Sequence, residues 1–363
     1  MKILHIHPSM AGGGIEAMIC GLANTMAKKE EVTVCSIFTP KSTHVFWHKL
    51  EPSVQKLTLN KTKPGFSIVE LFKIFNLLRK ENFDIVNMHG FLYYYIIAVL
   101  FLHKKTKFFY TIHSDAEKEN GRWDSKIYRF KKYCFKSGWI HPITISSASD
   151  LSFEKVYGFK GHIIYNGVPS ATISETDAIK QYRYTKNTKV FIHPGRISTA
   201  KNQVVLCKVF DRLIKEGKDV VLLIAGSKQD ADIYNEIEPY FSERIHYLGE
   251  RSDIPDLMAY SDAMCLSSIW EGLPVTLLEA LSVGCVPICT PVGGIPDVIK
   301  DKWNGILSTS ASEEDYLQAV KRFLLMSDVD YAKMKSDCMA SFERYDIKNA
   351  ANSYLEYYRE FLE

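Results

Sequence analysis

The chain has 363 residues, more than one hydrophobic core usually supports, so two domains are the first expectation. Apolar residues make up 46% and charged residues 24%, which excludes a disordered or collagen-like chain and leaves an ordinary globular one. The net charge of +3 is unevenly divided: residues 1–165 hold 23 Lys and Arg against 13 Asp and Glu, and the remainder 22 against 29, so the basic first half points to an anionic surface or substrate.

Met1-Lys2-Ile3-Leu4-His5-Ile6 reads as an opening strand, not a signal peptide. Gly12-Gly13-Gly14-Ile15-Glu16 follows it and leads into an amphipathic stretch over 16–28. Glycines there let the backbone approach a ligand, and a helix N-terminus offers free N–H groups to an anion. The G-x-G-x-x-G spacing of a dinucleotide site is missing, so a tight structural turn is an equal reading. Glu16 serves either as a helix cap or in acceptor binding. Near-continuous apolar runs at 32–37, 84–88, 107–112, 143–145 and 162–165 predict strands of a parallel sheet covered on both faces, with helices between them, as over 67–80. The apolar run 91–102 predicts a buried helix, because twelve residues fall short of the roughly 20 that span a bilayer. His113 stands just beyond the strand 107–112, where open α/β sheets gather ligands, although a lone histidine is as often structural. In 118–136 seven cations (Lys118, Arg122, Lys126, Arg129, Lys131, Lys132, Lys136) interleave with five aromatics, a composition that suits an anionic membrane surface or a solvated helix face. No recognition motif accompanies the charge, so nucleic acid is not expected.

A polar stretch over 169–188 reads as a linker, and a second βαβ series follows with strands at 189–193, 220–226, 245–248, 263–266 and 286–289 and a helix over 202–216. After its first strand come His193-Pro194-Gly195-Arg196 and then Lys201-Asn202, where Gly195 permits a tight turn and the two cations could converge on a diphosphate. The segment 267–280, Ser-Ser-Ile-Trp-Glu-Gly-Leu-Pro-Val-Thr-Leu-Leu-Glu-Ala, joins a strand to a helix. Backbone N–H groups from Gly272 through Leu273, Pro274 (which lacks one) and Val275 to Thr276 would open onto a phosphate at the helix start. Glu271 in the loop and Glu279 about two turns into the helix can accept hydrogen bonds from sugar and ribose hydroxyls. Residues 346–363 predict a terminal helix with an apolar face. The eight cysteines include no C-x-x-C pair and mostly sit in apolar runs, as expected of buried thiols in a reducing compartment.

Trp270-Glu271-Gly272-Leu273-Pro274 with Glu279 resembles the Glu–seven-residue–Glu motif of glycosyltransferase family 4. The stretches 280–287 and 291–297, the N-terminal glycine loop, Asn166-Gly167-Val168, and Gly195-Arg196 with Lys201 agree with it in order along nearly the whole chain. The resemblance implies an α/β GT-B fold: two Rossmann-like, doubly wound parallel-sheet domains facing a cleft. The expected acceptor domain is 1–168, the donor domain 189–345, and the helix 346–363 returns to the N-terminal domain. It further implies a retaining enzyme that needs no cofactor or metal. Glu271, His113, Arg196 and Lys201 would be catalytic. Gly13, Gly14, Gly195, Asn202, Gly272–Thr276 and Glu279 would bind a nucleotide-sugar donor, UDP-linked in preference to GDP-linked, with the base near 248–254. A glycan or lipid-linked saccharide would be the acceptor, in bacterial surface polysaccharide synthesis in the cytoplasm or at the inner membrane face. The three glycines at 12–14 leave the register of the backbone contact open by one residue. The rivals are a nucleotide-sugar epimerase or phosphorylase on this fold, a non-catalytic sugar-binding subunit, and a nicotinamide dehydrogenase. The last lacks its fingerprint and leaves the Glu271–Glu279 loop unexplained.

Overall fold

The computed structural model describes residues 1–90, 95–119, 125–175 and 177–362. Two compact units emerge, Met1–Pro169 with Tyr345–Glu363, and Ser170–Arg344. Each is a parallel sheet with helices packed on it, the Rossmann-like arrangement expected from alternating apolar runs and amphipathic stretches.

The first unit holds strands β1 (Lys2–His7), β2 (Glu31–Phe38), β3 (Gln55–Lys61), β4 (Ile85–Met88), β5 (Lys107–Ile112), β6 (Ile140–Thr144) and β7 (His162–Ile163). Its helices are α1 (Gly14–Met26), α2 (Val45–His48), α3 (Ile68–Glu81), α4 (Ile96–Leu102), α5 (Ala116–Glu119), α6 (Ser125–Lys136) and α7 (Ser147–Tyr157). The sheet order is β3-β2-β1-β4-β5-β6-β7, so the strand order reverses between β1 and β4. One face is closed by α1 and by α15 (Ile347–Arg359), the last helix of the chain. Ile347, Ala350, Ala351, Tyr354, Leu355 and Tyr358 of α15 are buried against Met18, Ile19 and Leu22 of α1. Burying such side chains contributes roughly 1.5–3 kcal/mol each before entropy, enough to hold α15 on this unit. Asp346 caps α15 by accepting from the Lys348 N–H at 2.8 Å. A Cβ on Gly167 would lie 2.8 Å from the Ala350 Cβ, so the small residue of Asn166-Gly167-Val168 lets this helix approach.

Three expectations need correction here. The helix within 91–102 is not buried throughout: residues 91–94 lie outside the described ones, and in α4 Ala98 and Val99 face inward while Phe101 is 72% exposed. Phe101 meets Phe75 of α3 edge-on at 6.0 Å, and Ile68, Val69 and Phe72 of α3 are exposed as well. The 118–136 stretch is not uniformly solvated either. The side chains of 118–127 lie outside the described ones, but Lys131 is buried with its ammonium 5.0 Å from the Tyr110 ring centre, and Phe135 is core. Third, the strand predicted over 143–145 begins earlier, at Ile140, because Phe108 and Phe109 of β5 pair with Ile140 and His141.

The second unit has strands β8 (Lys189–Pro194), β9 (Val220–Ala225), β10 (Ile245–Gly249), β11 (Ala263–Leu266), β12 (Val286–Cys289) and β13 (Ile306–Leu307), in the order β10-β9-β8-β11-β12-β13. The reversal falls between β8 and β11. Its helices are α8 (Gln203–Lys215), α9 (Ala231–Ile237), α10 (Ile254–Tyr260), α11 (Val275–Ser282), α12 (Ile295–Val298), α13 (Glu313–Leu324) and α14 (Asp328–Phe342). The polar stretch after Pro169 packs on this unit: Arg183 donates to Asp262 at 2.8 Å and Ile179 is buried. All eight cysteines are buried and unbridged, and burial pushes thiols such as Cys35 and Cys207 up to about 12, so they are poor nucleophiles.

Candidate active site

In the second unit the loops that leave β8 and β11 lie at the reversal of strand order, where an open α/β sheet presents a crevice. Here Lys201 Nζ and Ser268 Oγ both donate to Glu271 Oε1, each at 2.6 Å. Neither bond uses Oε2. The Lys201 and Glu271 side chains are only 19% and 9% exposed, so this charge-assisted pair is held partly out of water. Arg196 lies on the same β8 loop with its side chain exposed, and among the described residues no carboxylate pairs with it.

Backbone bonds sew the two loops together. The Ile269 N–H donates to the Ala200 carbonyl at 2.8 Å, and Ser267 Oγ lies 3.1 Å from the carbonyls of both Lys201 and Asn202. Asn202 adopts the left-handed conformation, φ 54°, and ends the 3₁₀ turn Thr199–Lys201 just before α8. Behind this loop His193 is buried. Its Nδ1–H donates to the Cys265 carbonyl at 2.8 Å, and its Nε2 accepts from Gln203 at 3.1 Å, which settles its tautomer. Burial lowers His193 to about 4, so it is neutral at pH 7. The Gln203 amide also donates to the Arg196 carbonyl at 2.9 Å, pinning the turn that carries Arg196.

Gly195 does not have the positive φ of a glycine turn. Its neighbours explain it instead: a Cβ there would lie 3.2 Å from His193 Nε2. A third loop supports Glu271 from below. Gly293 has φ +56°, a Cβ on it would lie 2.1 Å from the Glu271 carbonyl oxygen, and the Gly294 N–H donates to the Gly272 carbonyl at 2.6 Å. We expect Gly293→Ala to destabilise the fold by roughly 1–3 kcal/mol through backbone strain and to displace Glu271. Denaturant unfolding together with a turnover assay checks this, and wild-type values in both would refute it.

Gly272, Leu273 and Pro274 form the turn into α11, with Val275 and Thr276 in its first turn. Leu273 and Val275 are buried, so this pair is part of the core, while Glu279 is half-buried and only about one turn into the helix, not the two expected, because α11 begins at Val275. Sequence reading quoted Ser268, His193 and Gly293 within motifs but gave them no role, and it passed over Gln203.

In the first unit Gly13 precedes α1 with φ 167°, extended backbone open to any residue. A Cβ on Gly13 would lie 2.7 Å from Glu16 Oε2, the end of a flexible side chain that can move aside. The Glu16 carboxylate also lies 3.8 Å from His7 Nε2, while His7 Nδ1–H donates to the His89 carbonyl at 2.9 Å. His113, just after β5, is linked through Nε2 to His89 Nδ1 at 2.8 Å, and His89 Nε2 to His5 Nδ1 at 3.2 Å. Burial lowers His5 to about 4, His113 to about 3 and His89 well below its usual value. Three neutral imidazoles therefore run from β1 across β4 to β5. Neither His5 nor His89 was singled out in the sequence. Among the described residues no group of three or more His, Cys, Asp or Glu is arranged to hold a metal ion, and no helix is long and apolar enough to cross a membrane.

Two family models divide the chain between them. "Glycosyltransferase Family 4" matches residues 12–171 and "Glycosyl transferases group 1" matches 174–337. The chain is 24% identical over 286 residues to the Escherichia coli UDP-Gal:alpha-D-GlcNAc-diphosphoundecaprenol alpha-1,3-galactosyltransferase, covering 69% of each chain. It is 23% identical to the GDP-mannose:cellobiosyl-diphosphopolyprenol alpha-mannosyltransferase of Xanthomonas oryzae pv. oryzae, covering all of this chain and 97% of that one. Among solved structures, Anabaena HepE in complex with UDP-glucose superposes with a TM-score of 0.82 at 19% identity over 99% of this chain and all of that one. With both halves matched in order and the two sheets of the GT-B fold in place, this chain is a glycosyltransferase of the group 1, family 4 type.

Proposed function

We propose that the protein transfers a sugar, with retention of anomeric configuration and without a metal ion, from a UDP-sugar to a lipid-linked saccharide or other glycan acceptor, in the assembly of a bacterial surface polysaccharide. The observation that carries this reading is the Lys201–Glu271–Ser268 cluster, with the exposed Arg196 on the same loop as Lys201, at the strand reversal of the second unit.

Breaking the bond from the anomeric carbon to the donor phosphate builds negative charge on the leaving diphosphate and positive charge on the sugar. Arg196, Lys201 and the N–H groups at the start of α11 stabilise the diphosphate, and removing one such donor typically costs about 3 kcal/mol of barrier. The carboxylate of Glu271 holds Lys201 through one oxygen and takes the sugar hydroxyls with the other. Glu279 accepts from the ribose. The family resemblance assigns His113, Gly13 and Gly14 to the donor and Glu16 to the acceptor. The acceptor hydroxyl attacks from the face the diphosphate leaves, with a phosphate oxygen taking its proton.

Several facts support the finer points. Names of relatives specify diphosphoundecaprenol- or diphosphopolyprenol-linked acceptors and α-linked products, and an α-linked product from an α-linked donor such as UDP-galactose is retention. A Staphylococcus aureus relative, 25% identical over 308 residues, is named a capsular polysaccharide biosynthesis glycosyltransferase. UDP is preferred to GDP because HepE carries it in three complexes, although the Xanthomonas relative uses GDP-mannose.

A thermal-shift screen with EDTA present tests donor and metal together. At 100 times its dissociation constant UDP should add about 2.7 kcal/mol of stability. No shift until magnesium or manganese is added would overturn the metal-free reading, and a shift with GDP alone would overturn the choice of base. A peripheral position at the inner membrane face also belongs to this reading. The basic, aromatic stretch 118–136 carries this part of the reading, and the exposed Ile68, Phe72 and Phe101, close in sequence to Lys63, Lys104 and Lys105, add apolar and basic groups that suit anionic lipid. Co-sedimentation with phosphatidylglycerol vesicles, weakened by Phe101→Glu, is the expected result, and a protein left in the supernatant would remove the membrane from the reading.

A further inference from the structure

The three imidazoles of the first unit form a chain whose protons can be counted. His5 Nδ1 faces His89 Nε2, and His89 Nδ1 faces His113 Nε2. Each neutral ring has one N–H, and each link needs one proton between its two nitrogens. Only two arrangements make both bonds. In the first, all three rings carry the proton on Nδ1, and bonds point outward from His5 to His113. In the second, all three carry it on Nε2, and bonds point inward.

The inner end decides between them. His5 Nε2 is buried and meets no hydrogen-bond partner. The inward arrangement would leave an N–H stranded there, whereas the outward one leaves a bare lone pair. A stranded donor in the interior is the rarer and costlier of the two. The ring carriers are also held. His89 is completely buried, follows β4, and has its N–H on the Ile6 carbonyl at 3.0 Å and its carbonyl on His7 Nδ1 at 2.9 Å.

We propose that His5 and His89 are positioning residues that lock His113 as its Nδ1–H tautomer, with its Nε2 held as the acceptor of the His89 N–H. This is the opposite of the Nε2–H form that a free histidine side chain favours in water. Near-neutral rings throughout the chain agree with the proton count, since burial keeps all three uncharged at pH 7. The consequence for transfer rests on the reading that His113 faces the donor. A ring held neutral in one tautomer adds no charge beside a sugar that is itself becoming positive. A histidinium would oppose that step.

The tautomers are read directly by long-range proton–nitrogen correlation spectra of ligand-free protein labelled with ring-nitrogen-15 histidine at pH 7.5. Nδ1–H is expected on His5, His89 and His113. In His89→Leu, His113 should move to the Nε2–H form. In His89→Asn the side-chain amide can donate from nearly the former Nδ1 position, and the Nδ1–H form of His113 should return. Turnover should fall roughly 10- to 100-fold in His89→Leu, as for loss of an orienting partner of a working histidine, and recover in His89→Asn. Nε2–H or an imidazolium at His113 in the wild type would overturn the proposal, and if His89→Leu does not fold, the wild type and His89→Asn still decide it. A protein with Nδ1–H at His113 that binds no nucleoside diphosphate would instead refute the transferase role given to His113, while one that binds UDP with Nε2–H at His113 refutes the chain alone.

Discussion

Replacing Glu271 by glutamine is expected to lower turnover by roughly 100-fold or more while the protein stays folded. The carboxylate accepts from Lys201 and Ser268 on a single oxygen, each at 2.6 Å, so its charge sets the position and the environment of the ammonium. Glutamine keeps the shape but removes the negative charge. It also loses one acceptor oxygen, because the amide nitrogen can only donate. Lys201 would then lie in a partly desolvated place without its counter-ion, and breaking such pairs by removing one member costs up to about 3–5 kcal/mol in the most buried cases. The pair retains some exposure, so the stability loss should be well below that figure, and circular dichroism melting measures it. A folded Glu271→Gln protein with wild-type turnover would refute the assignment of this cluster to catalysis.

The second large effect is on stability against pH. His5, His89, His113, His141 and His193 all lie below the usual histidine value of 6.5 in the folded protein, held there first by burial. Between about 4 and 6.5 the unfolded chain binds protons at these positions that the folded protein refuses. Their contribution is whole above pH 6.5 and is lost as pH falls toward 4. A single such group gives a slope of about 1.4 kcal/mol per pH unit within that window, so stability between pH 6 and 4.5 should fall several times more steeply than that. Urea unfolding followed at half-unit pH intervals at constant salt checks this. A flat profile down to pH 4.5 would mean that the buried histidines take up protons without unfolding, through water entry or local opening.

Which parts of this molecule could be read in its sequence follows from the range of the forces involved. Runs such as 220–226 and 263–266 are apolar on every residue because both faces of a central parallel strand are covered, so β9 and β11 stand out locally. Edge strands carry less of that signal. Residues 55–61, with three of seven positions exposed, and the two-residue β13 could not be recognised, since only pairing with a neighbour already in place makes them strands. The 267–280 segment was legible because glycine, proline and two acids at a set spacing lie within one strand-to-helix turn.

The arrangement around those residues was not legible. Lys201 and Glu271 are 70 positions apart and Gln203 is ten from the His193 it steadies; the sheet brings the loops after β8 and β11 side by side. Positions 5, 89 and 113 have no common spacing at all. They meet because β1, β4 and β5 are neighbours in the sheet and each histidine lies at or near the carboxyl end of its strand. By itself the sequence determined the fold class, the family and the one loop where acids and glycines fall close together, because short-range periodicity and turn chemistry suffice for these. Which oxygen of Glu271 is occupied, why Gly293 must lack a side chain, and how three neutral histidines share their protons were decided only by the tertiary structure. Those features depend on contacts across strands that the chain reaches dozens of residues apart.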